Sequence, residues 1–217
     1  MKSRALKFGL ALAAAGLCVQ PVTATAAQGD WLFRGGVGIV DPKSDNLIIP
    51  GETADSVIDV DTGTSLTVEG TYMLADNWGI ELLAAYPFTH DVKLDGTKAA
   101  EVDHLPPTLS VQYHFIPDGK IRPYVGLGLN YTMFMSEKTK GPLAGADLKI
   151  ADSWGMAAQV GADIGITDRW FANVGIRYID IEGKAKLDGA SIGTVVIDPM
   201  TYQVQVGYRV GGAAGGN

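Results

Sequence analysis

The chain has 217 residues and a formal net charge of −7, with 28 glycines and a single cysteine. That length suits one domain of ordinary size. The acidic balance argues against nucleic acid as a partner, and a lone cysteine excludes a disulfide framework.

Residues 1–27 have the form of a signal peptide that is removed. Lys2, Arg4 and Lys7 make a basic start, Phe8 to Val19 an apolar run, and Ala24-Thr25-Ala26 a small-residue cleavage site, with the cut expected near Ala26/Ala27. The run is too short and wrongly flanked to span a membrane as a helix. Leu17 precedes Cys18, where a lipoprotein signal wants a small residue, so lipidation is not expected. No later apolar run approaches the roughly 18 residues of a spanning helix, so any membrane role falls to strands.

From Trp31 onward apolar residues recur at every second position, the period of a strand with two different faces. Trp31 to Val40 is the first such segment, followed by an acidic loop from Asp41 to Gly63 with an apolar knot at Leu47-Ile48-Ile49. Thr64 to Leu74, the turn Ala75-Asp76-Asn77 and Trp78 to Phe88 form a hairpin. A second long loop reaches Pro106. Leu105 to Phe115, a Pro-Asp-Gly-Lys turn and Ile121 to Ser136 then make the clearest hairpin of the chain. A third loop, Glu137 to Asp152, leads to Ser153–Ile166, the turn Thr167-Asp168-Arg169 and Trp170–Ile181. A fourth loop, Glu182 to Val196, precedes the last strand, Ile197–Val210.

Long and short connections therefore alternate, and each strand carries an apolar face of about ten residues, what a tilted strand needs to cross a bilayer. The same alternation would suit a lipocalin-like barrel with apolar faces turned inward. The placement of aromatics decides between them. Trp31, Tyr72, Trp78, Phe115, Trp170 and Tyr208 gather at the short-turn end, and Tyr86, Phe88, Tyr131, Trp154, Tyr178 and Tyr202 near the long-loop end. Aliphatic residues fill the middle. Two aromatic girdles around an aliphatic band are what the two membrane interfaces select. The opposite face carries charges and amides at mid-strand, too polar for a lipocalin cavity. The expected fold is all-β: an eight-stranded antiparallel up-and-down transmembrane barrel over residues 28–210, with long extracellular loops, short periplasmic turns and a flexible Gly/Ala tail at 211–217.

Leu105–Phe115, Arg122–Phe134, Ser153–Ile181 and Ala84–Asp91 together resemble the OmpW family, and the likeness extends over nearly the whole mature chain. The resemblance implies an outer-membrane barrel of Gram-negative bacteria through which small hydrophobic molecules enter passively. It also implies outer-membrane lipid, lipopolysaccharide and the barrel assembly machinery as partners. One departure is the C-terminus: such barrels usually end on an aromatic residue, whereas here Tyr208 is followed by Val210 and the tail. Either Tyr208 serves as that signal or the tail follows the barrel into the periplasm.

Sorted by depth, inward residues divide into two groups. Val40, Leu83, Ala85, Pro87, Phe134, Ala157, Ile179, Ile181 and Ile197 form an apolar cup toward the long loops. Arg34, Glu69, Glu81, His114, Arg122, Asp163, Arg177 and Arg209 form a polar plug toward the periplasm. An eight-stranded barrel is barely wide enough for its own side chains, and unpaired charges inside it would be costly, so arginines are expected to neutralise the carboxylates. An apolar solute that enters the cup meets a hostile plug and must leave sideways. Pro87, and Pro106 with Pro107 on the neighbouring strand, cannot donate to the ladder and mark a candidate lateral gate. The plainer reading is that these prolines end their strands above the membrane.

No catalytic site is expected. His90, His104 and His114 show no metal-ligand spacing. Ser110 and His114 are four apart on one strand face, about 13 Å at strand rise and beyond hydrogen-bond reach. The acidic residues of the first loop (Asp41, Asp45, Glu52, Asp55, Asp59 and Asp61) lack the order of a calcium loop and read as a solvated surface. No cofactor and no metal are implied. The expected function is uptake of small apolar solutes; the alternative is a non-transporting surface receptor or envelope-stabilising, stress-related barrel.

Overall fold

The structure, a computed structural model, describes residues 27–49 and 55–211. Residues 1–26 of the expected signal peptide, Glu52, and residues 212–217 of the tail fall outside them. In chain order the strands are β1 (Trp31–Asp41), β2 (Leu47–Ile49), β3 (Ser56–Val60), β4 (Gly63–Ala75), β5 (Trp78–Ala85), β6 (Phe88–Leu94), β7 (Thr97–Leu105) and β8 (Thr108–His114). They continue with β9 (Ile121–Thr139), β10 (Leu148–Ile150), β11 (Ser153–Gly165), β12 (Trp170–Ile179), β13 (Glu182–Leu187), β14 (Ala190–Val196) and β15 (Met200–Val210).

Eight of these, β1, β4, β5, β8, β9, β11, β12 and β15, pair antiparallel in that order. The last closes onto the first from Trp31↔Val210 to Asp41↔Met200. Closure leaves no free edge, which a lipid environment demands of any strand that crosses it. Leu66, Val68, Leu82, Leu127, Leu129 and Val204 point outward, while the alternate residues are buried within.

The long loops are not irregular, as the sequence suggested, but folded. Strands β2, β3, β6 and β7, joined to the upper half of β9, extend the wall above the barrel, and β10, β13 and β14 form a separate three-stranded sheet. Two Asp-Gly turns make this possible. Asp95 and Gly96 join β6 to β7 at φ 49° and 77°, and Asp188 and Gly189 join β13 to β14 at φ 50° and 81°. Positive φ at both central residues is the hairpin turn that suits twisted strands. The two sheets enclose one apolar cluster that includes Leu47, Ile58, Val92 and Val102 from the first and Leu148, Ala185 and Val195 from the second. They make a collar on the barrel.

Among the aromatic residues assigned to girdles, Trp31 lies 5.0 Å from Tyr72, Trp170 4.8 Å from Tyr208 and Tyr131 4.6 Å from Trp154 between ring centroids. Phe88 is the correction. It is 3% exposed and packs inside the collar. The expected third strand, Trp78–Phe88, breaks after Ala85 and resumes at Phe88 as β6. A one-residue change of parity after Tyr86 leaves that ring outward and turns Phe88 inward. The fourth barrel strand likewise begins at Thr108, beyond both prolines, rather than at Leu105.

Candidate functional site

The lower barrel interior is a charged network. Arg34 on β1 meets Asp163 on β11 through paired bonds, Nε to Oδ1 at 3.0 Å and Nη2 to Oδ2 at 2.9 Å. Its Nη1 donates to Thr71 Oγ1 at 2.8 Å and lies 3.8 Å from Glu81 and 3.9 Å from Glu69. Arg177 on β12 reaches Glu81 Oε1 at 2.6 Å, Glu69 Oε1 at 3.3 Å and Gln159 Oε1 at 2.8 Å through its Nη2. Gln112 and Gln159 also donate to Glu81, and Asn173 donates to Asp163. These carboxylates come from three strands and are buried, so the guanidiniums cross the lumen to them. A bidentate geometry with further donors is what makes burial of such charge tolerable.

Of the other expected plug residues, Arg122 is buried over the Phe171 ring at 5.3 Å. His114 lies against Tyr124 with Nε2 3.2 Å from Gln112 Oε1, so its ring is held by an amide and not by Ser110. Arg209 sits at the periplasmic mouth with Asp30, 3.4 Å away. Below the charges lies an apolar layer of Leu32, Met73 and Phe171, which the depth sorting missed. Tyr124, whose hydroxyl accepts from Asn173 Nδ2 at 3.1 Å, was missed too. The alternation marks all four as inward, and an apolar or aromatic side chain at the periplasmic end of each inward face is the signal for them.

The expected apolar cup divides in two. Ala157, Ile179, Ile181 and Ile197 join the collar cluster, with Phe134 packed half-buried against it. Val40 and Leu83 are buried on the barrel's inner face outside that cluster, and Ala85 and Pro87 are half-buried at the wall. Within the collar remains a nearly enclosed apolar cavity of about 40 Å³, lined in part by Val92, Val102, Phe134, Leu148, His90 and His104. The two histidine rings stack at 4.7 Å, with Phe88 and Phe134 flanking His104 at 5.6 and 6.1 Å. His90 Nδ1 is 2.6 Å from the Asp61 carbonyl oxygen. Gly63 makes room for this ring, since a β-carbon there would come within 2.6 Å of His90 Cε1. Burial pushes the His104 imidazole down to about 3, with His90 adding repulsion. Burial lowers His90 as well, opposed by the Asp61 carbonyl and by the Asp61, Asp103 and Asp91 carboxylates.

The prolines stand at the junction of barrel and collar. Pairing of β5 with β8 ends at Leu83↔Thr108, and pairing of β6 with β7 resumes at Phe88↔His104. Among the described residues no ladder joins 84–87 to 105–107. Tyr86 N turns to Leu66 O on the β4 side, and Pro107 O accepts from Tyr131 N on the β9 side. Asn130 Nδ2, on β9, ties down only the 106–108 side of the seam from within, 3.1 Å from both the Pro106 and Pro107 oxygens and 3.0 Å from Thr108 Oγ1. Tyr86 is exposed and Tyr131 half-buried on the outer face beside the seam.

Comparison with known proteins places this architecture. A family model described as the OmpW family matches residues 27–210. Outer membrane protein W of Vibrio cholerae is 38% identical over 221 residues, covering 93% of this chain and 97% of that protein. Outer membrane protein AlkL of Ectopseudomonas oleovorans is 28% identical over 196 residues, covering 83% and 82%. The crystal structure of the outer membrane protein OprG from Pseudomonas aeruginosa aligns with a TM-score of 0.77 at 34% identity, covering 87% of this chain and 99% of that one.

Proposed function

Because this chain belongs to the OmpW family of outer-membrane barrel proteins, we propose that it is a passive entry route for small hydrophobic molecules. The solute is received in the apolar collar and leaves laterally into the outer leaflet through the seam between β5 and β8. The observation that carries this reading is the contrast along the axis. An apolar chamber sits directly above a hydrogen-bonded charged floor, and an interrupted ladder in the wall lies between them. A hydrocarbon that entered the floor would strip charges of their partners, which is far costlier than passing an unladdered seam.

The test is uptake of an apolar solute by intact cells carrying Pro87→Ala together with Pro106→Ala. Alanine restores two donors where the ladder is missing, so uptake is expected to fall several-fold while the folded amount in the membrane is unchanged. Equal uptake by native and variant protein would remove the lateral exit. A second reading, a non-transporting receptor or envelope-stabilising barrel, draws on the tight filling of the collar, whose cavity is only about 40 Å³. Uptake by cells with and without the native protein separates the two.

A further inference from the structure

The histidine pair is an odd choice for the lining of an apolar chamber. His90 and His104 are 2% and 3% exposed, and the Nε2 atom of each is buried without a hydrogen-bond partner. Valine or phenylalanine would fill the same space with no polar atom to desolvate. At His90 the chemistry is more specific still. Its Nδ1 faces a carbonyl oxygen at 2.6 Å, and a carbonyl can only accept, so Nδ1 carries the proton. Nε2 therefore presents a bare lone pair. The depressed basicity of both rings keeps that lone pair unprotonated near neutral pH.

An acceptor without a donor selects among apolar molecules. An alkane fills the chamber but leaves the lone pair as it was. A ketone or ester brings a second acceptor, which repels it. A hydroxyl brings a donor. We propose that the collar cavity recognises apolar solutes carrying one hydroxyl group, such as medium-chain alcohols, whose O–H donates to His90 Nε2. Their hydrocarbon part packs among Val92, Val102, Leu148 and Phe134. The existing cavity, about 40 Å³, has room for the hydroxyl head, and collar side chains part to admit the rest. This inference rests on the uptake reading for its biological sense and names that reading's solute class, but binding is measurable without transport.

The experiment uses the full-length mature protein in lipid nanodiscs, with histidine labelled with 15N, titrated near neutral pH with 1-octanol or n-octane and referenced to empty nanodiscs. Octanol is expected to move the His90 Nε2 resonance upfield, as accepting a hydrogen bond does, and to bind about tenfold more tightly than octane. His90→Phe keeps an aromatic ring and loses the acceptor, so there the two affinities should converge. Equal affinities in the native protein, or an octanol preference that survives in His90→Phe, would overturn the proposal. Should that variant fail to fold, the nitrogen shift in the native protein decides alone: no shift with saturating octanol is a refutation. Uptake of both compounds by cells is read in parallel. If neither enters faster with the protein than without it, the uptake reading fails, and the nanodisc result still stands or falls by itself.

Discussion

In the barrel, buried guanidiniums and carboxylates sit within hydrogen-bond reach of one another; in the collar, two neutral imidazoles are buried and each keeps an Nε2 atom unpartnered. The barrel floor is held by paired charge and by a closed ladder whose bonds exchange with nothing in lipid. The collar is held by dispersion between two small sheets. The first arrangement loses several interactions at once if any member moves. The second can part and close again, because aliphatic contacts are small and interchangeable. Under the proposed uptake, selection would therefore belong to the collar and exclusion to the barrel.

The largest effect should come from the floor. Asp163→Leu leaves the Arg34 guanidinium buried without its bidentate partner, and unfolding in urea from lipid vesicles should lose about 3–5 kcal/mol. A loss below about 1 kcal/mol, the range of exposed ion pairs, would mean that water reaches the floor and that the two regions are not so different. The next effect is in the collar. Ile181→Ala removes a side chain that is 1% exposed and should cost roughly 2–4 kcal/mol. Its signature should be local: hydrogen exchange quickens in β13 and β14 while the barrel ladder stays protected. If the whole molecule loses that stability together, collar and barrel form one cooperative unit and the contrast fails.

Acid offers a third probe. His104 titrates at about 3 when the collar is closed and near 6.5 when it is open and wet. The open form thus binds more protons below pH ~6.5, so collar stability is full above that value and falls as pH drops toward 3. The slope is at most about 1.4 kcal/mol per pH unit for this one group. Asp61, Asp91 and Asp103 oppose the same shift at His90, so its share is smaller. Exchange in β6 and β7, divided by the intrinsic amide rate at each pH, should quicken as pH falls from 7 to 5 in the native protein and become less pH-sensitive in His104→Phe. Unchanged exchange across that range would show that water already reaches the ring.

Much of this was legible in the residues, for a physical reason that also explains the misses. The barrel follows from alternation because each strand divides lipid from a polar lumen, and those environments imprint opposite chemistry on successive side chains. Arg34, Glu69, Glu81, Asp163 and Arg177 stand out as mid-strand charges for the same reason. The collar divides water from an apolar interior over strands only three to nine residues long, so its alternation is brief and easily taken for loop. Yet Leu-Asp-Gly at 94–96 and again at 187–189 is a hairpin signal in two of the four long loops. Phe88 was misplaced because parity was carried through Pro87, where the strand breaks. The stacking of His90 on His104 depends on the pairing of β6 with β7, including its register shift at Val92/Lys93, which no spacing along the chain reveals.

Those two turns give the smallest and most discriminating test. Gly96 and Gly189 have φ of 77° and 81°, and a β-carbon at either would meet nothing within 4 Å. Alanine there acts through backbone conformation alone, with a penalty of roughly 1–2 kcal/mol for a left-handed residue that carries a β-carbon. Each substitution should loosen only its own hairpin, raising exchange at the tip of β6/β7 or β13/β14 about fivefold or more. Asparagine at the same positions, which tolerates this conformation, should give back part of the protection. The hairpins differ in what they carry: β6/β7 holds both histidines, whereas β13/β14 contributes Ala185, Ile192 and Val195 to the cavity wall. If the collar admits solutes by parting, loosening the lobe that moves should speed uptake. An increase with Gly189→Ala alone would make β13/β14 the door and leave the histidines on the fixed side. An increase with Gly96→Ala alone would put the recognition atom on the moving part. No change with either, despite measurable loosening, would mean that opening of the collar does not limit entry.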